Sequence, residues 1–283
     1  MKRIFALLAA GTIVSALCAF AAGGQERAPA KLSVTRLDCG TVAANDLNLF
    51  SDTDAYVGQS KRLVVGCYLI RHGDQIMLWD TGLPAAMKGK AIDPRLPMDA
   101  TVTRTIVEQL ADLGIRPEQV GRIGISHYHF DHIGQAQAFP AATLIIGAAD
   151  WAALSATPPA PGINAAPLTH WVTGGGKVDP LAGDRDVFGD GRVRIIDMPG
   201  HTPGHHALIV KLKDRTLMLS GDLAHFTENY TANGVPSFNT NRADTLASLD
   251  RFKKLATNLK ATVIIQHEPA DVAKLPAFPK AAE

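Results

Sequence analysis

The stretch Ser126-His-Tyr-His-Phe-Asp-His132, followed by Ile133-Gly134, decides the fold. Four of its side chains can bind a metal ion, and they fall within six residues. Imidazole and carboxylate together suit zinc and the neighbouring first-row metals. Surface histidines in a polar loop rarely reach this density, so the stretch indicates a metal site. The four candidate ligands are His127, His129, Asp131 and His132.

The segments on either side of this stretch set the direction of its side chains. Residues 122–126 are apolar and few, which predicts a buried strand, and residues 133–139 predict a short helix. Alternate residues of an extended chain share a face, so His127 and His129 can point at one ion. Asp131 and His132 lie at the bend before the predicted helix and can turn toward a second ion.

The first residues have the pattern of a secretory signal peptide. Lys2 and Arg3 precede an apolar run over 4–22, and the small-x-small end Ala19-Phe20-Ala21 predicts cleavage after Ala21. We therefore expect a signal peptide over 1–21, a single catalytic domain over 22–283, and a periplasmic or secreted protein. No later apolar run reaches spanning length, so we expect no membrane segment after signal removal.

The chain after the predicted cleavage site is almost neutral, with 26 basic and 27 acidic side chains in 262 residues. This balance gives no sign of a polyanionic partner, and we expect no binding of nucleic acid. Two cysteines remain, Cys39 and Cys67. An exported protein could pair them, but each lies in or beside an apolar segment, where a buried free thiol is equally expected.

Two stretches half a chain apart have the same form. Residues 67–80 and 207–222 each predict a hairpin that ends in an acid beside a glycine. We interpret them as a weak internal repeat, with two sheet-plus-helix halves that pack face to face. Other apolar runs predict strands over 32–39, 63–70, 143–146, 193–197 and 262–265, and amphipathic patterns predict helices over 101–113 and 239–260.

Two metal ions that share a hydroxide need more ligands than the first stretch supplies. His201, Asp222 and His267 each follow an apolar segment, as His127 does. One edge of the sandwich could therefore gather all of them. A carboxylate can bridge two cations and an imidazole usually cannot, which makes Asp222 the candidate bridge.

These residues together resemble the metallo-β-lactamase superfamily. The resemblance rests on the first stretch, on His201 in Gly-His-Thr-Pro-Gly-His, on Asp222 in Ser-Gly-Asp, and on His267. Asp80, in Leu-Trp-Asp-Thr-Gly, resembles the early structural aspartate of that superfamily. The resemblance implies an α/β protein, an αβ/βα sandwich of two mixed β-sheets flanked by helices. It also implies two Zn²⁺ per chain, one held by His127, His129 and His201, the other by Asp131, His132 and His267, with Asp222 between them.

Within the superfamily the chain is most similar to the N-acyl homoserine lactonases, through residues 37–40, 65–72 and 238–251. The similarity implies an exported quorum-quenching hydrolase that opens a small-molecule lactone by attack of a metal-bound hydroxide. Many such lactonases have a Tyr three residues after the bridging acid, whereas this chain has His225, as some members do.

Several further roles follow from this comparison. His225 would donate a hydrogen bond to the developing oxyanion, and Asp131 would pass a proton to the leaving alkoxide. His205 would orient a metal ligand. Leu49, Phe50 and Phe238 are candidates for an acyl pocket, with a structural role equally expected. A homodimer stays open.

Three other functions fit parts of the pattern. A class B3-like β-lactamase fits the export signal and the histidines, but the carboxylate at Asp222 counts against it. A glyoxalase II-like thioesterase shares the glycine-rich turn around His201, but the sequence shows no basic residues for a glutathione site near the cleft. A binding protein with a closed structural zinc site is disfavoured by seven ligands arranged for two ions.

Overall fold

The computed structural model describes residues 30–158 and 162–283. The predicted signal peptide lies outside these residues, so its prediction stands as it was made. None of the described helices has the length and apolar character that crossing a membrane requires.

The first sheet is built from the N-terminal half of the chain and has the spatial order β4-β1-β2-β3-β5-β6-β7. The pairs among β4, β1, β2 and β3 are antiparallel, whereas β3, β5, β6 and β7 pair in parallel. The strands are β1 (Leu32–Ala44), β2 (Lys61–His72), β3 (Gln75–Trp79), β4 (Met98–Thr101), β5 (Arg122–Gly124), β6 (Thr143–Gly147) and β7 (Val178–Leu181).

The second sheet comes from the C-terminal half and has the order β12-β11-β10-β9-β8. Its pairs are antiparallel except for β11 with β12. Both sheets are therefore mixed, as predicted. The strands are β8 (Arg185–Asp186), β9 (Val193–Asp197), β10 (His206–Lys211), β11 (Thr216–Leu219) and β12 (Thr262–Ile264).

Seven described helices accompany the sheets, and their ends follow from local capping. The helix α1 begins after Thr105, whose side chain and that of Glu108 cap each other's backbone N–H groups. The long helix α6 begins after Asn241, whose side chain accepts the N–H of Asp244. The helices are α1 (Ile106–Asp112), α2 (Phe130–Ile133), α3 (Ala148–Ser155), α4 (Thr169–Val172), α5 (Thr227–Ala232), α6 (Arg242–Asn258) and α7 (Pro269–Val272).

The two sheets face each other across an apolar core, and helices cover their outer faces. Trp79 and Ile70 of the first sheet share this core with Leu208 of the second. On the outer face of the second sheet, Phe252 of α6 packs in a cluster with Met218 of β11. The predicted αβ/βα sandwich is thus confirmed. The two similar hairpins are β2–β3 in one sheet and β10–β11 in the other.

The helix predicted over 133–139 is wrong. Helix α2 comes earlier, so Asp131 and His132 lie within it, and only a 3-10 turn, Ala136–Ala138, follows. The backbone N–H of Gly134 donates to the carbonyl of Gly82, and that of Gln135 donates to Thr81. The loop after β3 therefore captures the backbone that would have continued the helix.

Cys39 and Cys67 form a disulfide, which decides between the two alternatives that the sequence left open. Their Cα atoms lie 5.9 Å apart on the neighbouring strands β1 and β2. Both residues are fully buried. The bond ties the two strands together beside the irregularity in their register between Asp38 and Thr41.

Candidate functional site

The seven predicted ligands meet at one edge of the sandwich. Each follows the carboxyl end of a strand, directly or, for Asp131 and His132, within α2, and the parallel strands β11 and β12 end on the same side. His127 and His129 follow β5, His201 lies between β9 and β10, Asp222 follows β11, and His267 follows β12. The structure brings them into two groups: His127, His129, His201 and Asp222 in one, and Asp131, His132 and His267 in the other.

The first group is a convergence of three imidazole rings. Nδ1 of His129 lies 2.9 Å from Nε2 of His127 and 3.0 Å from Nε2 of His201. Oδ2 of Asp222 lies 3.6 Å from Nε2 of His127 and 3.5 Å from Nε2 of His201. Three ring nitrogens and a carboxylate oxygen thus face one small volume.

The second group lies against the other oxygen of the same carboxylate. Oδ1 of Asp222 is 3.2 Å from Nε2 of His132 and 3.0 Å from Nε2 of His267. Oδ2 of Asp131 completes the group at 3.8 Å and 3.6 Å from these two nitrogens. Asp222 therefore presents one oxygen to each group, which is the geometry that a bridging carboxylate needs.

The far sides of the rings are held by hydrogen bonds that leave a lone pair facing the centre. Nδ1–H of His132 donates to Oδ2 of Asp80 at 2.9 Å, and Nδ1–H of His267 donates to the carbonyl of Val64 at 2.8 Å. Nδ1–H of His205 donates to a backbone carbonyl, and its Nε2 accepts the N–H of Asp222. Asp80 and His205 thus lie behind the ligand set, as predicted. Ligand histidines in metal sites are commonly anchored in this way.

Burial and charge divide the histidines. Burial lowers the pKa of His127 and His201 well below the ordinary value, and lowers that of His129 to about 4. Burial also acts on His132 and His267, but the nearby carboxylates, Asp222 foremost, outweigh it and raise the pKa of both. A neutral imidazole has a single N–H, and where the far nitrogen carries it, the nitrogens that face each other across about 3 Å present lone pairs that a cation between them would satisfy. The nitrogen and oxygen donors present fit zinc.

A cavity of about 190 Å³ opens onto the two groups. Phe50 and Phe238 line it, as predicted, together with His225. Leu49 does not belong to the lining. Its side chain packs against the core cluster and its backbone carbonyl accepts hydrogen bonds from Ser237, which favours the structural role over the acyl pocket for this residue. The other lining residues are Val42, Leu63, Met98, His129, Phe130, Asp131, Asp222 and His267.

Asp150, which was not among the predicted site residues, is a fully buried acid that joins the loop of His127 and His129 to the loop of His201. Its carboxylate accepts the N–H of Tyr128 at 3.2 Å, the hydroxyl of Thr202 at 2.8 Å and the N–H of Gly204 at 2.6 Å. Burial raises the pKa of this carboxyl to about 7. A signal was present, because Asp150 closely follows β6, which pairs in parallel with β5 and ends at the same edge.

Comparison with known proteins agrees with this fold. Residues 61–267 match the family model of the Metallo-beta-lactamase superfamily. The chain is 31% identical over 191 residues to the N-acyl homoserine lactonase AttM of Rhizobium radiobacter, which covers 61% of this chain and 68% of the relative.

Solved structures share the fold at lower identity. A quorum-quenching N-acyl homoserine lactone hydrolase is 22% identical, with a TM-score of 0.76 over 90% of this chain and 99% of that one. AidC, a dizinc quorum-quenching lactonase, is 19% identical, with a TM-score of 0.64 over 89% of this chain and 90% of that one.

The substitution Asp150→Asn should change how stability depends on pH. In the unfolded chain this carboxyl loses its proton near its usual pKa of 3.8, and in the folded chain near 7. Between these values unfolding releases a proton, so the free energy of unfolding falls as pH rises. Relative to the variant, the wild type should lose up to about 4 kcal/mol over this window. Urea unfolding of both proteins in EDTA measures the difference, and curves that stay parallel from pH 4 to 7 would contradict the expectation.

Proposed function

The chain belongs to the metallo-β-lactamase superfamily and is a hydrolase, and from this premise we propose that it opens the lactone ring of N-acyl homoserine lactones. Its proposed cofactors are two zinc ions per chain, one held by each of the two groups, with Asp222 between them. Similarity to AttM and to the dizinc lactonase supports this proposal.

The character of the pocket is the observation that carries the proposal. Beyond the candidate metal ligands and His225, its described lining is entirely apolar: Val42, Phe50, Leu63, Met98, Phe130 and Phe238. Neither Lys nor Arg occurs in this lining. Such a surface suits a substrate with an apolar acyl chain and no net charge, because a buried charge without a partner is strongly unfavourable.

The same argument weakens the two rival functions. A β-lactam carries a carboxylate next to its reactive ring, and a glutathione thioester carries two. The described lining has no cationic side chain to pair with these carboxylates, so only the proposed zinc ions, already held by the carboxylates of Asp131 and Asp222, could hold them. An acyl homoserine lactone has no such group.

The residues of the site have distinct tasks in this reaction. Bound zinc would lower the pKa of water toward neutrality and polarise the substrate carbonyl. The carboxylate of Asp131 lines the pocket and lies 3.6 Å from Nε2 of His267, where it can take a proton from the attacking water and then deliver it to the leaving alkoxide oxygen. The apolar walls keep bulk water from the acyl chain.

His225 is suited to hold the oxyanion. Both of its ring nitrogens are buried and make no hydrogen bond of good geometry among the described residues, and Nε2 lies 3.1 Å from Oδ2 of Asp222. The ring stacks on His267 with an interplanar angle of 11° and meets Phe50 edge-on at 4.8 Å between centroids. A ring that is held on two sides and lines the pocket can donate a hydrogen bond to charge that develops there.

Export completes the proposal. The signal-peptide pattern predicts passage out of the cytoplasm, and the disulfide between Cys39 and Cys67 is typical of an oxidising compartment.

We expect the zinc-loaded protein, residues 22–283, to hydrolyse acyl homoserine lactones, because its pocket accepts a neutral apolar substrate. Asp222→Ala should reduce the rate to background, since both groups lose their shared oxygen donor. The assay follows proton release with lactones of short and long acyl chain, with a chromogenic cephalosporin and a glutathione thioester run in parallel. Inert lactones with turnover of either parallel substrate would reassign the enzyme to the corresponding rival.

His225→Phe should lower kcat about 100-fold while KM and zinc content change little, because a donor to the oxyanion is lost while the aromatic packing is kept. Steady-state kinetics and metal analysis of the same preparation measure both quantities. An unchanged kcat would reject the role, and a loss of zinc would make His225 a metal ligand instead.

Intact-mass analysis of protein recovered from the periplasm or the medium tests export. The expected mass is that of residues 22–283 less two hydrogen atoms, because cleavage follows Ala21 and one disulfide forms. Full-length protein confined to the cytoplasm would contradict export, and a mass with both thiols reduced would contradict the disulfide.

A further inference from the structure

Gln266 lies at the junction of the two sheets, directly behind the candidate metal site. Its side chain is completely buried, and both its amide nitrogen and its amide oxygen make two hydrogen bonds. Nε2 donates to Oδ2 of Asp80 at 2.8 Å and to the carbonyl of Gly66 at 3.3 Å. Oε1 accepts from Nε1 of Trp79 at 3.1 Å and from the N–H of Gly221 at 3.0 Å. The amide therefore has one fixed orientation.

The hydrogen bonds of this amide form two chains, here called arms, and the first arm runs from its nitrogen through Asp80 to His132. Oδ2 of Asp80 receives Nε2–H of Gln266 and Nδ1–H of His132 together, at 2.8 and 2.9 Å. Its other oxygen accepts the backbone N–H of Ser126 at 2.7 Å. The position of Asp80 decides where the imidazole behind it points, so the donor from Gln266 helps to aim Nε2 of His132 at the second group.

The other arm leads to Asp222. Gly221, whose N–H is held by Gln266, has a φ of +53°, a left-handed conformation that turns the chain sharply after β11. The next N–H, that of Asp222, donates to Nε2 of His205 at 2.9 Å. Two successive backbone N–H groups are thus fixed by buried side chains, which sets the direction of the carboxylate that faces both groups.

We propose that Gln266 is a positioning residue that aligns His132 and Asp222, and through them controls metal binding by the group Asp131, His132 and His267. The inference rests on the proposed dinuclear site. Hydrogen-bond partners behind metal ligands typically change metal affinity 10- to 100-fold when they are removed. The group around His127, His129 and His201 depends on Gln266 only through the shared Asp222 and should be affected less.

Two substitutions separate the arms. Gln266→Glu keeps an oxygen for Gly221 and Trp79 but replaces the N–H that faces Asp80 with a second oxygen, so it breaks the arm to His132. Gln266→Met keeps the length of the side chain and breaks both arms. Gln109→Met is the matched control, because Gln109 is also a buried amide, bonded to both backbone groups of Asp38, and lies outside the site.

The measurement is zinc binding by competition with a chromophoric chelator, with thermal unfolding followed by circular dichroism to verify that each variant is folded. The wild type should bind two zinc ions. In Gln266→Glu one equivalent should weaken about 10- to 100-fold while the other stays near its wild-type affinity. In Gln266→Met the same equivalent should weaken at least as much, and the other should weaken less, because the turn before the shared Asp222 is also released. Cobalt substitution should show the same loss as a change in the absorption of one equivalent only.

Three results would overturn the inference: unchanged affinity for both equivalents in folded Gln266 variants, equal weakening of both equivalents, or the same weakening in Gln109→Met. Binding of a single zinc by the wild type would remove the dinuclear site and this role with it. Because the readout is metal binding, failure to hydrolyse lactones would reject the proposed substrate without changing this result.

Discussion

The burial of the Asp222 carboxylate is the constraint on which the rest of the structure depends. One acid lies among the rings of His127, His132, His201, His225 and His267, out of contact with solvent. Burial opposes the charge of this carboxylate, yet the surrounding histidines outweigh burial and hold its pKa well below the ordinary value. An acid that stays ionised in the interior needs cations on both sides. Each of its oxygens faces a separate group of ligands, and the fold has to bring four different loops to that one point.

The fold meets this demand with buried polar side chains that join the loops in pairs. Asp80 connects the loop after β3 to His132 in α2, and Asp150 connects the loop after β5 to the loop that carries His201. Gln266 connects the first sheet to the turn before Asp222. Each of these side chains is almost fully hydrogen-bonded, which matches the rule that buried polar groups are tolerated when they are satisfied. The ligands are therefore positioned by a second layer of polar contacts rather than by the apolar core alone.

Sequence patterns predicted the ligands and the sandwich because both depend on short motifs and on the apolar patterns of neighbouring residues. The motif around His129 could be recognised from its residues alone. The acids and histidines after apolar strands could be recognised because functional residues often follow the ends of strands. What failed depends on contacts between distant segments. The end of α2 is decided by the loop around Gly82, and β1 extends to Ala44 because it pairs with β4. Asp150 and Gln266 each closely follow a strand, but they act through partners far away in sequence, and the sequence does not show those partners.

The two similar hairpins end in acids with different roles. Because the roles differ, the two halves of the chain together form a single site. Asp80 follows β3 with a φ of +59°, a left-handed turn that directs its carboxylate behind the metal-competent side chains. Asp222 follows β11 and directs its carboxylate between them. If both acids faced the centre, a second buried carboxylate of this pair would meet Asp222 there at close range, and if neither did, the two groups would have no shared oxygen. With Asp80 behind, His132 has a fixed partner, and Asp222 is the single carboxylate between the two groups.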